Sequence, residues 1–127
     1  MIGISARSII DIVNVVSEAA NGRRVLFVDD KEEICMLADV HLKRSGINAK
    51  IVSSADIAKR EIESGDYDVL VTDYHLGDDV NGDDLAKLAR SMGMKTASFS
   101  NGDSMRRSLY DVVLGKDYHA LKKIAYL

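Results

Sequence analysis

A chain of 127 residues, 46% of them hydrophobic, is long enough to form one domain around a single core without disulfides or a structural metal. Its net charge of -3 argues against a protein whose main partner is nucleic acid or an anionic membrane. The single cysteine, Cys35, excludes an internal disulfide and is typical of a reducing compartment, so a cytoplasmic location is predicted. Neither a signal peptide nor a membrane span is predicted within residues 1–20, because polar residues interrupt their apolar clusters and no cleavage pattern follows.

The first predicted element is an amphipathic helix within residues 1–23, and residues 24–127 are assigned to the main domain. Ser8 is a suitable N-cap, and Asn21-Gly22 ends the helical pattern. The apolar stripe of this helix consists of Ile9, Ile12, Val13, Val16 and Ala20. Because so broad a stripe must be buried, three alternatives are open. The helix covers a face of the domain, forms a homodimer with its copy through residues 5–20, or is the remnant of a linker to another protein. The first two are compatible if the helix is swapped between copies.

From Val25 onward, short apolar runs alternate with helical patterns, which is typical of an α/β fold with a parallel sheet. Five strands are predicted, at residues 25–28, 49–52, 68–72, 96–100 and 119–121. Apolar residues at spacings of three and four predict helices between the strands, and the fourth helix is marked by Met105, Leu109, Val112 and Val113. The residues after the last predicted strand are too few for a full helix, so a missing or truncated last helix should leave one face of the sheet uncovered.

Three acids stand where buried strands are predicted to end. Asp29 and Asp30 follow the first strand, and Asp73 follows the third. The carboxyl ends of parallel strands meet at one edge of a sheet, where such folds bind ligands. Carboxylates gathered there repel one another unless a positive group neutralises them, and magnesium is the cation that best suits such oxygen ligands.

These motifs resemble those of a known family. The matching features are Val25-Leu26-Phe27-Val28-Asp29-Asp30, Val69-Leu70-Val71-Thr72-Asp73-Tyr74-His75-Leu76, Ser100 at the end of the fourth predicted strand and Lys122 at the end of the fifth. In this combination and order they resemble the receiver domain of two-component response regulators, of the single-domain chemotaxis type. The resemblance covers roughly residues 24–124. It implies a doubly wound, flavodoxin-like sheet of five parallel strands in the order 2-1-3-4-5.

The resemblance also implies a chemical role for each acid. Asp73 would be the phosphoacceptor, which attacks a phosphoryl donor as a nucleophile. Mg²⁺ would be bound directly by Asp30, by Asp73 and by the backbone carbonyl of His75, whereas Asp29 would hold it through water. The phosphoryl group would come from a histidine kinase or from a histidine phosphotransfer protein.

Three further residues are assigned by the same resemblance. Lys122 would pair with Asp73 and later with a phosphoryl oxygen, and Ser100 would provide the switch hydroxyl, although Asn101 is a neighbouring competitor. His119 occupies the position of the switch aromatic, which follows the hydroxyl inward on phosphorylation. Lys123 stands where the family has a proline after a cis peptide bond, and retention of that cis bond is slightly favoured over a trans loop.

Taken singly, the same residues have simpler interpretations. Asp29 or Asp30 can N-cap the helix that follows, Asp73 can be an ordinary turn acid, and Lys122 can be an exposed surface lysine. Ser100 alone carries almost no information. Only their joint occurrence at four strand ends favours a site.

The leading hypothesis is therefore a stand-alone receiver that is phosphorylated on Asp73 in the presence of Mg²⁺ and signals by binding a downstream protein. Such a protein is a phosphoacceptor and not a turnover enzyme. The alternative is a degenerate receiver that binds protein partners without phosphorylation, motivated by Lys123 and the missing last helix. A phosphohydrolase with an aspartyl nucleophile ranks low. That class generally has the motif Asp-x-Asp after its first strand, whereas here Asp29 and Asp30 are adjacent.

Overall fold

The computed structural model of the chain describes residues 23–77, 79–102 and 104–127. Its strands are β1 (Val25–Val28), β2 (Ala49–Val52), β3 (Val69–Thr72), β4 (Lys95–Ser98) and β5 (Val112–Val113). Its α-helices are α1 (Glu32–Arg44), α2 (Ala55–Glu63) and α3 (Gly82–Ser91). Two 3₁₀ helices complete the described elements, Arg107–Leu109 and Tyr118–Tyr126, and the second of these is called the C-terminal segment below. The predicted N-terminal helix lies outside the described residues.

The five strands form one parallel sheet in the order β2-β1-β3-β4-β5, which confirms the predicted fold class. Side chains of successive strand residues point to opposite faces, so β1 and β3 each contribute to two hydrophobic cores. On one face, Phe27 and Val71 pack with Ala38 and Leu42 of α1. On the other face, residues of the same strands pack with α2 and α3, as in the cluster of Leu26, Leu70, Ile62 and Leu85.

The predicted end of the domain is wrong in two respects. The fourth helix is absent from the described part of the β4–β5 connection, which contains only the 3₁₀ turn Arg107–Leu109. The fifth strand is Val112–Val113, and the residues predicted to form it, 119–121, belong to the C-terminal segment. Met105, Leu109 and Val113 have helical spacing, but side-chain bonds hold the end of the connection beside β4 instead. Thr96 Oγ1 donates to the carbonyl of Leu109 at 2.6 Å, and the carboxylate of Asp111 accepts from Thr96 N at 2.8 Å.

The C-terminal segment takes the place of a full last helix, in agreement with the predicted truncation. It packs against α1, and it buries Ala120, Leu121 and Ile124 in the core on that face of the sheet. The face that was expected to be left open is therefore covered by the C-terminus itself. No α-helix among residues 23–77, 79–102 and 104–127 is long and apolar enough to cross a membrane.

Candidate functional site

The three predicted acids meet at the carboxyl edge of the sheet. Because β1 and β3 are adjacent and parallel, with Val28 level with Thr72, the residues that follow them lie side by side. Carboxylate oxygens of Asp29, Asp30 and Asp73 all lie within 4.8 Å of one another. Asp29 and Asp73 are buried, whereas Asp30 is exposed to solvent. One acid of the three is thus directly accessible from outside.

Asp29 is the most deeply placed member of the cluster, with no exposed surface. Its Oδ1 accepts a hydrogen bond from Lys31 N at 3.0 Å, so it forms the turn into α1 without capping that helix, whose N-cap is Lys31. Burial raises the pKa of Asp29 above its usual value, and the nearby charge of Asp73 acts in the same direction. A buried carboxylate beside another acid is costly unless cations compensate for it.

The lysine that supplies this compensation is Lys116 and not Lys122. Lys116 Nζ lies 2.5 Å from Asp29 Oδ2 and 3.5 Å from Asp73 Oδ2, with only 16% of its side chain exposed. It follows Gly115, whose φ of 64° turns the chain just beyond β5. Lys122 lies in the C-terminal segment and is exposed. The predicted position of the lysine is wrong because the fifth strand ends before the predicted strand begins.

Asp73 and Ser100 are brought into direct contact. Ser100 Oγ donates to Asp73 Oδ1 at 2.6 Å, and the same carboxylate oxygen accepts from Tyr74 N at 2.8 Å. Tyr74 N also lies 2.5 Å from Ser100 Oγ, which closes a small triangle of polar atoms. Ser100 is 4% exposed and follows β4 by a short loop, whereas its competitor Asn101 is exposed. The hydroxyl is therefore already directed at the carboxylate.

The loop between β3 and α3 presses against the backbone of Asp73. Gly82 N donates to the carbonyl of Tyr74 at 2.8 Å, and an isolated bridge pairs His75 with Asn81. A Cβ atom on Gly82 would lie 2.2 Å from the carbonyl oxygen of Asp73, so only glycine fits there. The side chain of His75 is exposed, in keeping with an expected role for its backbone alone.

The predicted switch aromatic and cis bond are not found where the resemblance put them. His119 is exposed in the C-terminal segment, and its ring packs edge-on against His41 at 5.3 Å between centroids. Counting back from Lys116 by the same spacing leads to Val113 on β5, which is not aromatic. The peptide bonds of the described residues are all trans, including Lys122–Lys123, so the slight preference for a cis bond there was wrong.

Cys35 lies beside the site without belonging to it. Its thiol donates to the carbonyl of Asp29 at 3.1 Å, which ties α1 to the end of β1. Burial, followed by the charge of Asp29, raises the pKa of Cys35, so the unreactive thiol form is favoured.

The donor set suits a hard divalent cation. Three carboxylates whose oxygens lie within 4.8 Å of one another, one of them solvent-exposed, are the oxygen ligands that Mg²⁺ prefers, alongside several waters. Lys116 contacts Oδ2 of Asp29. Asp30 is exposed, so its carboxylate can turn toward a cation. The residues therefore fit the expected magnesium site.

Sequence reasoning missed two parts of this region. The first is Lys116. The β-branched pair Val112 and Val113 followed by Gly115 is a pattern typical of a strand end, and it could have indicated that the fifth strand ends just before this lysine. Asp83 and Tyr110 gave no signal, because their contact joins residues far apart in the sequence: Tyr110 Oη donates to Asp83 Oδ1 at 2.8 Å.

No protein-family model matches the sequence, and no curated protein matches it. The chain is nevertheless similar to solved response-regulator structures. A response regulator receiver domain (CheY-like) from Methylobacillus flagellatus gives a TM-score of 0.71 at 24% identity, over 82% of this chain and 96% of that chain. One from Methanospirillum hungatei gives 0.71 at 23% identity, over 82% and 90%. A response regulator from Thermotoga maritima, solved in complex with Mg(2+)-BeF, gives 0.70 at 23% identity, over 82% and 96%. The chain has the fold of these receiver domains.

Proposed function

We propose that this protein is a receiver that accepts a phosphoryl group on Asp73 in a magnesium-dependent reaction. The observation that carries the proposal is the grouping of Asp29, Asp30 and Asp73 within 4.8 Å at the carboxyl edge of a receiver fold. Lys116 and Ser100, which both contact acids of this group, add a cation and a hydroxyl donor. The Mg(2+)-BeF complex of the Thermotoga maritima neighbour supports the same cofactor for this chain.

Each side chain has a distinct part in the proposed reaction. Asp73 attacks the phosphorus through a carboxylate oxygen, and the bond from phosphorus to its donor breaks. Asp30, Asp73 and the backbone carbonyl of His75 would bind Mg²⁺ directly, and Asp29 would hold it through water. When bound, the cation neutralises charge that develops on the phosphoryl oxygens.

Lys116 takes the role that the sequence assigned to Lys122. Its ammonium group lies between Asp29 and Asp73, so a small movement toward Asp73 would bring it to a phosphoryl oxygen. Ser100 donates its hydroxyl to Asp73 now and would donate it to a phosphoryl oxygen afterwards. The protein is thus a phosphoacceptor that changes state, and steady turnover of a substrate is not part of the proposal.

The proposed donor is a phosphohistidine on a histidine kinase or a histidine phosphotransfer protein. Helix α1 starts immediately after the acids and exposes three apolar side chains, Met36, Leu37 and Val40, on its outer face. Exposed apolar side chains next to a reactive site suit a partner protein that must bring its histidine close to Asp73.

The downstream partner is likewise proposed to be a protein, and the location of the signalling is proposed to be the cytoplasm. Residues 1–23 are proposed to contain an amphipathic helix, and two copies are proposed to pair through residues 5–20.

Intact-mass measurement with a small phosphodonor tests the proposal. Incubation with acetyl phosphate and Mg²⁺ should add one phosphoryl group to the wild-type protein, and chelation of the metal should prevent it. Asp73→Asn should abolish the addition. Asp79→Asn is a matched control, because Asp79 is an exposed acid of the same loop and should leave phosphorylation unchanged.

A second candidate function, a receiver that binds partners without phosphorylation, is favoured by two observations. The described β4–β5 connection lacks the predicted helix, and Val113 takes the position expected for the switch aromatic. The same measurement separates the two candidates. If wild type and Asp73→Asn both stay unmodified, the phosphoacceptor proposal fails and the binding module remains.

A further inference from the structure

The connection between β4 and β5 is attached to the surroundings of Asp73 at both of its ends. At its start, Ser100 donates directly to the carboxylate of Asp73. Near its end, Tyr110 Oη donates to Asp83 Oδ1 at 2.8 Å, and Arg106 N donates to Asp83 Oδ2 at 2.9 Å. Both carboxylate oxygens of Asp83 are therefore used to hold the connection against α3.

Asp83 is itself linked to the backbone of Asp73. It follows Gly82, whose Cα is so close to Asp73 that a Cβ there would overlap the carbonyl oxygen. Gly82 N also donates to Tyr74, the neighbour of Asp73. A shift in the backbone at Asp73 is thus passed to the first turn of α3, where Asp83 lies, without a flexible side chain in between.

Tyr110 is suited to act as a rigid part of this attachment. It is 8% exposed and packs with Ala86 and Met105, and Tyr74 lies against the same cluster. Burial and the bond to Asp83 keep the pKa of Tyr110 far above its usual value, so its hydroxyl remains a donor at all physiological pH values. Its hydroxyl is bonded to Asp83 of α3, and its ring is packed against Ala86 of α3 and against Met105.

We propose that Asp83 and Tyr110 form a latch that holds the β4–β5 connection in the unphosphorylated arrangement and opens when Asp73 is phosphorylated. This inference rests on the proposed function. In the present arrangement the hydroxyl of Ser100 is held by Asp73 Oδ1. A phosphoryl group offers that hydroxyl a more negative oxygen further out, so Ser100 moves and draws the start of the connection with it.

The consequence for the surface lies at the exposed pair Arg106 and Arg107. Arg106 is bound to Asp83 through its backbone, so its side chain changes position when the latch opens. The aromatic that responds to phosphorylation is then Tyr110, before β5, and its partner is an acid on α3. Neither residue was identified by the sequence motifs.

Binding of beryllofluoride with Mg²⁺, a mimic of the phosphoryl group, tests the latch. Since coupling is reciprocal, removing the hydroxyl in Tyr110→Phe should tighten beryllofluoride binding by about 3- to 10-fold, the range that one hydrogen bond can supply. In the wild type, the amide resonance of Arg106 should shift on binding. Tyr67→Phe is the matched control, because Tyr67 Oη donates to Glu61 at 2.9 Å, away from Asp73, and its loss should leave the affinity unchanged.

A second measurement decides the latch even if the wild type binds no beryllofluoride, a result that would contradict the proposed function instead. The unfolding free energies of Ser100→Ala, Tyr110→Phe and the double variant form a cycle that needs no phosphorylation. Non-additivity is expected, whereas Ser100→Ala with Tyr67→Phe should be additive. Unchanged beryllofluoride affinity in Tyr110→Phe, beside a wild type that binds, would overturn the latch and leave the receiver proposal standing. An additive Ser100–Tyr110 cycle would overturn it as well.

Discussion

Lys116 and Lys122 carry the same charge, but Lys116 is mostly buried beside carboxylates whereas Lys122 is exposed to solvent. Lys116 lies between two buried carboxylates and also sits 5.2 Å from the ring centroid of Phe99, so its charge is held by both acids and an aromatic face. Lys122 is exposed on the C-terminal segment. A buried charge that loses its partner is far more costly than an exposed one, so the two lysines should respond very differently to replacement.

Replacing Lys116 with methionine is expected to destabilise the metal-free protein by about 3 kcal/mol, because Asp29 is then left buried without its cation. Lys122→Met should change stability by less than about 0.5 kcal/mol, as is usual for an exposed side chain. Urea unfolding with and without Mg²⁺ gives the measurement. Added Mg²⁺ should restore part of the loss in Lys116→Met, since the cation supplies positive charge to the same acids. Equal effects of the two substitutions would contradict the assignment of Lys116.

At the level of elements, the sequence predicts best those strands and helices whose conformation depends on local residues alone. The runs that form β1 and β2 were predicted with their observed bounds, and β3 to within one residue, because each is a short, mainly apolar run between turn residues, a pattern that allows few alternatives. The acids of the site followed from those strands. The region after β4 was predicted wrongly because its conformation depends on Thr96, Asp83 and Asp111, which hold it through side-chain contacts across the fold. No local pattern reveals such contacts.

Strand β2 is an edge strand, and an ion pair joins it to α2. Lys50 Nζ lies 2.6 Å from Glu61 Oε1, and Tyr67 Oη donates to the other carboxylate oxygen. The bond from Lys50 lowers the pKa of Glu61 below its usual value, with a further contribution from Tyr67. When the folded state lowers the pKa of an acid, the unfolded state binds the proton more readily, so folding is favoured above the unfolded pKa.

The stabilisation from this pair should therefore be present at neutral pH and disappear as the pH falls through the lowered pKa of Glu61. Lys50→Gln should be less stable than wild type at about pH 7, and the two curves should converge at acid pH, once Glu61 is protonated in both proteins. Chemical unfolding across this range measures the difference. Lys59→Gln, which removes the same charge from an exposed position on α2, should show no such convergence. A gap between Lys50→Gln and wild type that is independent of pH would contradict the role of Glu61.

At the scale of the whole molecule, both faces of the sheet are covered by described residues. On the α1 face the cover includes Leu121 and Ile124, neither of which has exposed surface. That the N-terminal helix also covers a face of the domain stays a prediction beside this C-terminal cover. Pairing with a second copy accounts for the apolar stripe of residues 1–23 without requiring that face.

If the proposed homodimer forms through residues 5–20, removal of residues 1–22 should convert a dimer into a monomer that stays folded. Sizing chromatography with multi-angle light scattering gives the mass, and unfolding by urea gives the stability of residues 23–127. Two substitutions in the C-terminal segment calibrate the result. Ile124→Ala should cost about 2–4 kcal/mol because it opens a cavity under α1, whereas Tyr126→Ala, at an 81% exposed residue, should cost less than about 0.5 kcal/mol.

The deletion tests the division of labour between the two ends of the chain. Because the core beneath α1 is closed by Leu121 and Ile124, the deletion should cost no more stability than Tyr126→Ala once dissociation of the dimer is taken into account. A loss as large as that of Ile124→Ala, with aggregation of the shortened protein, would mean that the N-terminal helix also closes the core. An unchanged mass would exclude these residues as the dimer contact. We expect neither the large loss of stability nor the unchanged mass, because the C-terminal segment covers the α1 face of the sheet within a single copy.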